Sequence, residues 1–119
     1  MDWKGNNMQS NPTIHLNGRI GTDITPRTVG NTKVVRFRLI TNDRRKNANG
    51  EWEDANVSGW NIAAWDKLGD KVLEHLEKGD PVMVTGRIFE DKWTDTDGNT
   101  RYSTEVRAED IGLNVLLAK

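Results

Sequence analysis

The chain has 119 residues, with 17 Lys and Arg against 18 Asp and Glu and no Cys. This length suits one domain with a modest core, and the absence of Cys excludes disulfides, thiol catalysis and Cys-ligated zinc. No apolar run approaches the roughly 20 residues of a membrane span and no signal-peptide pattern opens the chain, so we predict a globular, cytoplasmic protein without a membrane partner.

The first third of the chain begins with a polar segment. Residues 1–12 have no hydrophobic period and are predicted to form a flexible arm, so that the folded domain spans residues 13–119. Residues 13–20 alternate apolar and polar side chains, which predicts a half-buried strand. Residues 22–32 contain Pro and Gly and are predicted to form turn and loop, with a short pairing segment at 27–29.

The clearest strand covers residues 34–42 (VVRFRLITN). Arg36 and Arg38 share one face, because successive side chains of a strand point to opposite sides. The other face is apolar and carries Val35, Phe37 and Leu39. We therefore expect this strand to line the core with one face and solvent with the other.

A polar excursion follows at residues 43–55. It is centred on Asn49-Gly50, a dipeptide typical of two-residue hairpin turns. Residues 57–65 then return as a strand.

The period changes at residues 66–78. Apolar residues recur there at helical spacing, with Asp66 as a candidate N-cap and Gly79 as the C-terminal stop. The apolar stripe consists of Leu68, Val72, Leu73 and Leu76. This is the one helix that the pattern predicts.

Two further strands complete the order. Residues 81–92 and 101–108 are predicted strands joined by a turn at Asp97-Gly98. Five strands with one helix between the third and the fourth predict an all-β fold, a five-stranded OB-fold Greek-key barrel. A ferredoxin-like sandwich would need a second helix.

The sequence offers little for catalysis. The two His residues, His15 and His75, fall in different elements, and neither belongs to a metal-binding spacing. There is no P-loop and no GxGxxG motif. We therefore predict a protein that is not an enzyme and needs no cofactor or metal.

Charge is unevenly distributed along the chain. Residues 33–46 carry six basic side chains and one acid, whereas residues 66–80 carry five acids and three bases. A charge run is usually a solvated face. Here the bases lie on one strand and its hairpin, a pattern that favours a locally bound polyanion.

The five Trp residues are numerous for a small core. Trp52 lies in the basic hairpin, Trp65 ends the third strand, and Lys92-Trp93 ends the fourth. Nucleic-acid bases that stack on such rings gain roughly 1–3 kcal/mol each, whatever the base. Because a duplex hides the base faces, basic and aromatic residues together favour a single-stranded ligand.

Several segments resemble the bacterial and phage single-stranded DNA-binding proteins. The similar segments are residues 14–21 (IHLNGRIG), 34–39 (VVRFRL), 65–68 (WDKL) and 78–87. The most specific match is residues 92–102 (KWTDTDGNTRY). The similarity runs from about residue 13 to residue 111, which is nearly the whole domain.

The resemblance implies an OB-fold homotetramer that binds single-stranded DNA in replication, recombination and repair, in the cytoplasm at the nucleoid. Trp65 and Trp93 match two of the family's base-stacking positions. The full set predicted to contact nucleic acid is Arg36, Arg38, Arg44, Arg45, Trp52, Trp65, Arg87, Lys92, Trp93 and Arg101.

Three departures from the family pattern stand out. Arg45 takes a position where many members carry a Trp. Trp60 precedes Trp65 by five residues, so in a regular strand the two rings face opposite ways, and Trp60 points to the core or to a subunit interface. The family's acidic C-terminal tail is absent, which fits either a truncated chain or a short paralog. Tail-mediated recruitment of replication and repair proteins is therefore not expected of this chain.

Two other functions stay open on the sequence alone. The chain could be an accessory or primosome-type adaptor that keeps the barrel but works through protein contacts. It could also bind RNA, since stacking and phosphate contacts do not exclude a 2′-hydroxyl.

Overall fold

The structure is a computed structural model that describes residues 11–118. It contains six strands and one helix, in the order β1 (Thr13–Ile20), β2 (Thr25–Val29), β3 (Thr32–Lys46), β4 (Trp52–Trp65), α1 (Asp66–His75), β5 (Pro81–Thr94) and β6 (Thr100–Leu113). None of the helical structure within residues 11–118 has the length and apolar content to cross a membrane.

The strands form one curved sheet in the order β1-β5-β6-β4-β3-β2. β1 also pairs with β3, and this additional pairing closes the sheet into a barrel. The β4–β6 pairing is parallel and the others are antiparallel. The predicted all-β OB-fold barrel with one helix is confirmed. The pairing segment expected at residues 27–29 is a complete short strand, β2, whose residues are all exposed.

The core lies on the inner face of the barrel. In β3, the alternating residues Val35, Phe37 and Leu39 are buried, as the sequence pattern predicts. They pack against apolar residues of the other strands and of α1, the buried ones being Leu16, Ile20, Ile62, Ala64, Val72, Val82, Val84 and Val106.

Trp60 belongs to this interior. It pairs with Leu39 across the β3–β4 ladder, and cross-strand partners place their side chains on the same face of a sheet. Its ring packs against the core cluster, and its indole Nε1 donates a hydrogen bond to Thr41 Oγ1 at 3.1 Å. The inward orientation deduced from its odd spacing to Trp65 is confirmed.

The helix is shorter than predicted and begins differently. α1 ends at His75, and the N-cap is Trp65, with no side-chain hydrogen bond, so Asp66 is not the cap. The chain leaves the helix early because residues 79 and 80 pair with the end of β1: Gly79 N–H donates to Ile20 O at 2.7 Å. Gly79 has φ +96°, so it supplies the left-handed conformation of this connection rather than the helix end.

The predicted apolar stripe of the helix does face the core. Val72 is buried, and the other three apolar residues of the stripe pack against the core cluster: Leu68, Leu73 and Leu76.

The hairpin at Asn49-Gly50 is present, but its strands are longer than predicted. β3 extends to Lys46 and β4 begins at Trp52, so most of the polar excursion is a paired ribbon. Asn47 Oδ1 accepts the backbone N–H groups of Asn49 and Glu51, which closes the turn. Exposed on both faces, such a ribbon shows no hydrophobic alternation by which sequence could identify it.

The predicted flexible arm lies mostly outside the described residues. Its last two residues are tied to β5: Asn11 Nδ2 donates to Ile88 O at 2.9 Å, and Ile88 N–H donates to Pro12 O at 3.0 Å. These two hydrogen bonds attach Asn11 and Pro12 to β5.

Candidate nucleic-acid interface

The outer face of β3 and β4 forms the floor of a groove, which we call the central groove. Its volume is about 560 Å³. The segment between β1 and β2 forms one wall and the β5–β6 hairpin forms the other. Its lining side chains include Thr22, Asp23, Thr25, Arg36, Arg38, Asn61, Asp91, Ser103, Thr104 and Glu105. In OB folds, this face and these two connections form the surface that binds oligonucleotides and oligosaccharides.

Strand register explains which side chains reach the groove. Arg36 pairs with Ala63 and Arg38 with Asn61, so these residues share the outer face. In the β5–β6 hairpin, Asp91 pairs with Ser103, and both line the groove. The outer faces of the two hairpins are therefore continuous.

Arg36 is held by an acid from the opposite wall. Its Nε donates a hydrogen bond to Glu105 Oε2 at 3.0 Å, across 69 residues of sequence. Glu105 Oε1 also lies 3.7 Å from Arg107 Nε, so this largely buried carboxylate faces two arginines. A phosphate bound at Arg36 has to compete with Glu105.

Arg38 has a different environment. Its Nη1 donates to the neutral Asn61 Oδ1 at 2.9 Å, and no ion pair of Arg38 occurs within residues 11–118. Asn61 Nδ2 in turn donates to Thr104 O at 3.3 Å, which links β4 to β6. Arg38 is therefore an exposed cation in the groove, with no carboxylate in ion-pair contact among the described residues.

Trp65 and Trp93 flank the groove on its own face. Trp65 follows Ala63 by two residues, so it lies on the side of Arg36 and Arg38 and is half-buried. Trp93 follows Asp91 by two residues in β5, and its side chain is 48% exposed. The two rings predicted to stack bases thus lie on one continuous surface.

The tip of the β3–β4 hairpin carries a second group of predicted residues. A β-bulge near Asp43 and Arg44 leaves Ala55 without a partner, and beyond it Trp52 pairs with Lys46. Lys46 Nζ lies 5.6 Å from the centre of the exposed Trp52 ring. Arg44 lies on the same face as this pair, with Nε 3.6 Å from Asp54 Oδ1.

Arg45 points the other way. It pairs with Glu53, and its Nε lies 3.4 Å from Glu53 Oε1 on the face opposite Arg44 and Trp52. The structure therefore separates Arg45 from the other three arginines of the basic strand.

The remaining predicted residues belong to the β5–β6 hairpin. Arg101 pairs with Trp93, and its Nε donates to Asp95 Oδ2 at 2.7 Å. Lys92 pairs with Tyr102 on the opposite face of the hairpin from Trp93. Arg87 lies in the middle of β5, where its Nη1 donates to Asn11 O at 3.1 Å and its Nε lies 3.5 Å from Glu109 Oε1.

Acids from other elements offset the basic strand. Four of its six cations have a carboxylate within 4 Å, the pairs being Lys33–Asp70, Arg36–Glu105, Arg44–Asp54 and Arg45–Glu53. The positive stripe seen in the sequence is therefore weaker in the folded protein. Binding of a phosphate at these positions exchanges one ion pair for another, which limits the net gain.

Asp95 organises the turn that carries Trp93 and Arg101. Its Oδ1 accepts the backbone N–H groups of Asp97 and Asn99, and its Oδ2 accepts Arg101 Nε. The hydrogen bond from Arg101 is the largest cause that lowers the pKa of Asp95 below its ordinary value of 3.8, and the bond from Asn99 N–H lowers it further.

We expect the Asp95 carboxyl signal, followed by NMR during an acid titration, to have its midpoint below pH 3.8. A lowered folded-state pKa means that the ionised carboxylate stabilises the turn above pH 3.8 and that this contribution is lost as the pH falls through the folded value. In the Arg101→Gln variant, the midpoint should rise towards 3.8. An unchanged midpoint in that variant would show that Arg101 is not the main cause.

Sequence reasoning did not identify four polar or small residues of this surface. They are Gly59, Asn61, Ser103 and Thr104. Asn61 could have been found from the sequence, because its even spacing to Trp65 places both residues on the same face of a strand. The β6 residues become neighbours of Arg38 only through the parallel β4–β6 pairing, which no local pattern announces.

Within the described part of the chain, no group of three His, Asp or Glu side chains could hold a metal ion. His15 lies on β1, with its Nδ1 3.0 Å from Thr85 Oγ1 of β5, and His75 is exposed at the end of α1.

The barrel and its groove define a protein of the OB-fold class. The model of the single-strand binding protein family matches residues 12–114, so the chain belongs to that family. Its members are DNA-binding proteins without enzymatic activity, in agreement with the prediction from sequence.

Curated relatives agree with this assignment. The chain is 36% identical over 101 residues to the mitochondrial single-stranded DNA-binding protein of Drosophila melanogaster, covering 83% of this chain and 68% of that protein. It is 34% identical over 84 residues to single-stranded DNA-binding protein 1 of Clostridium acetobutylicum, covering 71% and 73%. The chain spans only 55% and 61% of the two Chlorobaculum tepidum relatives.

Solved structures show the same fold. A small single-stranded DNA-binding protein from Streptomyces coelicolor has a TM-score of 0.77 at 27% identity, with 89% of this chain and 96% of that chain covered. The Plasmodium falciparum SSB complex with ssDNA has a TM-score of 0.73 at 26% identity, with 87% and 93% covered.

Proposed function

We propose that this protein binds single-stranded DNA along the central groove, independently of base sequence. The observation that carries the proposal is the placement of Trp65, Trp93 and the unneutralised Arg38 on one continuous face of the barrel. Rings supply stacking surfaces for unpaired bases, and the cation supplies a phosphate contact. Family membership and the DNA complex of a structural neighbour support the same ligand.

The residues divide into three roles. Trp65 and Trp93 stack bases along the groove, and Trp52 extends the stacking surface at the hairpin tip. Arg38 is the primary phosphate contact. The secondary contacts, where phosphate displaces a carboxylate or reaches a peripheral cation, are Arg36, Arg44, Arg45, Arg87, Lys92 and Arg101.

The cellular role that fits this activity is protection of single strands during replication, recombination and repair, in the cytoplasm at the nucleoid. The domain at residues 13–119 carries the binding surface. By resemblance to the family, the working form is a homo-oligomer, most simply a tetramer. The adaptor function, which needs neither the stacking rings nor a free cation, is not favoured.

Sequence independence follows from what lines the groove. No residue of α1 lines it, and the helix carries acids such as Asp66, Asp70 and Glu74. Stacking on rings and contacts to the backbone tolerate any base, because every base has a π-face. We expect oligonucleotides of equal length to bind alike, apart from a mild preference for pyrimidine runs. A hundredfold preference for one mixed sequence would contradict this.

Titration of intrinsic Trp fluorescence tests the ligand class. The protein is titrated with poly-dT, poly-U and a duplex of equal nucleotide content. Strong quenching by poly-dT alone supports the proposal, because a stacked base quenches indole emission. Tighter binding of poly-U would instead establish an RNA-binding protein, and no response to any of the three would favour the adaptor function.

The salt dependence of binding should separate the two arginines of the groove. Each phosphate contact on a single strand contributes about −0.7 to the slope of log K against log salt. We expect Arg38→Gln to flatten the slope by about 0.7, and Arg36→Gln to flatten it by less because Glu105 already neutralises Arg36.

Lys33→Gln is the matched control for this measurement. Lys33 lies on the same strand but on the opposite face, where it forms an ion pair with Asp70. The salt slope of the Lys33→Gln variant should therefore equal that of the parent. If Arg38→Gln also leaves the slope unchanged, the basic face is only solvated and makes no phosphate contact.

A further inference from the structure

The guanidinium group of Arg38 lies at the centre of the candidate surface. Besides the central groove, a second depression of about 420 Å³ adjoins it, lined by Ser58, Gly59 and the half-buried Trp60 among others. Arg38, Asn61, Ser103 and Thr104 line both depressions. A strand that passes from one depression to the other must therefore pass Arg38.

Gly59 provides the space for this guanidinium. A Cβ atom at residue 59 would lie 2.5 Å from Nε and 2.5 Å from Nη2 of Arg38, and 2.7 Å from its Cζ. Cβ atoms do not approach other heavy atoms so closely, so any side chain at residue 59 would displace the head of Arg38. Gly59 has no positive φ. Its lack of a side chain, rather than its backbone freedom, is what the site uses.

The guanidinium is also fixed in orientation. Its Nη1 donates to Asn61 Oδ1, while the Nε–Nη2 edge lies over Gly59. Asn61 is itself held by its hydrogen bond to Thr104 O. A side chain that is already ordered loses less conformational entropy when a ligand binds.

We propose that Arg38, seated over Gly59, is a base-stacking group of the interface as well as a phosphate contact. A guanidinium is planar and weakly hydrated, so it stacks on bases in a way that the compact ammonium of lysine does not. Arg36, the other arginine of the groove, already forms an ion pair with Glu105. Gly59 is a positioning residue that acts through Arg38. The inference rests on the proposed function and names one group that performs it.

The decisive variant is Arg38→Lys, which keeps the positive charge and removes the planar guanidinium group. We expect it to weaken binding of short oligo-dT by about tenfold with an unchanged salt slope. Arg38→Gln should weaken binding and also flatten the slope. If Arg38→Lys binds as tightly as the parent, Arg38 is a charge contact only and the stacking assignment is wrong.

Gly59→Ala tests whether the missing side chain at residue 59 positions the Arg38 guanidinium. The displaced atoms are the end of a flexible side chain, so we expect the melting temperature to be retained while affinity falls by an amount close to that of Arg38→Lys. Gly112→Ala is the matched control, because a Cβ there meets nothing within 4 Å. It should leave both affinity and melting temperature unchanged.

The double variant shows whether the two residues act together. If Gly59 acts through Arg38, Gly59→Ala should have little further effect in the Arg38→Lys background. Fully additive losses, or a Gly59→Ala variant that binds like the parent, would overturn the role of Gly59. The side-chain Nε–H signal of Arg38 in an NMR spectrum should also shift in Gly59→Ala and not in Gly112→Ala.

Failure of the inference and failure of the proposed function are distinguishable. A parent protein that does not bind oligo-dT overturns both. A parent that binds, with affinity that depends on Trp93 but not on Arg38→Lys, overturns the inference alone.

Discussion

We expect Trp93→Ala to weaken binding of short oligo-dT by about 1–3 kcal/mol, or about 5- to 150-fold, without loss of thermal stability. Trp93 is 48% exposed on the groove face of the β5–β6 hairpin, so its removal opens no core cavity. Trp65→Ala should have an effect of the same size on affinity. The measurement is fluorescence anisotropy with a labelled oligonucleotide, alongside a thermal melt of each variant.

Tyr102→Ala is the control for an exposed aromatic on the same hairpin. Its side chain is 58% exposed but lies on the face opposite Trp93, where it pairs with Lys92. Its removal should leave the affinity unchanged. If Tyr102→Ala weakens binding as much as Trp93→Ala does, the DNA does not follow the central groove. If neither Trp93→Ala nor Trp65→Ala weakens binding, the stacking assignment is wrong.

Trp60→Ala, unlike Trp93→Ala, should reduce the stability of the fold. We expect it to lower the free energy of unfolding by about 3 kcal/mol, because it removes a large side chain packed against the core and leaves a cavity. It also removes the hydrogen bond from the indole to Thr41 Oγ1. Urea denaturation followed by circular dichroism measures the loss.

Trp52→Ala is the matched control for stability, since the Trp52 ring is 59% exposed at the tip of the β3–β4 hairpin. Its denaturation midpoint should equal that of the parent. Strong iodide quenching in a variant whose only Trp is Trp60 would contradict the inward orientation of this ring, and so would an unchanged unfolding free energy in Trp60→Ala.

Much of the fold could be predicted from local patterns. The alternation around Phe37 identified both faces of β3, and the apolar stripe around Val72 identified the core-facing side of α1, because burial on one side imposes a period on the sequence. The turns at Asn49-Gly50 and Asp97-Gly98 were recognisable because Gly50 and Gly98 adopt positive φ, at +80° and +84°. Element ends were less predictable, because the exposed ribbons carry no hydrophobic alternation and the exit from α1 is fixed by pairing with the distant strand β1.

The arrangement of the site depended on tertiary structure to a greater degree. Trp52 and Trp65 are thirteen residues apart, an odd spacing that would place them on opposite faces of a regular strand. The bulge at Ala55 shifts the register, so that Trp52 instead faces the same side as Trp65. Arg45, by contrast, obeys simple alternation in β3, which already places it opposite Arg38.

By itself, the sequence determined the barrel class and the supply of rings and cations for a single-stranded ligand, because these follow from periodicity and residue type. The family resemblance rested on matching segments such as residues 92–102. Only the tertiary structure decided which cations are available. Glu105 is 69 residues from Arg36 in sequence, yet the parallel β4–β6 pairing brings it within 3.0 Å and neutralises that charge. Within residues 11–118, Arg38 stays unneutralised because the β3–β4 ladder places it opposite the neutral Asn61 and beside the open space over Gly59. Charge pairing between strands far apart in the chain leaves no periodic signal, so it could be found only in the folded protein.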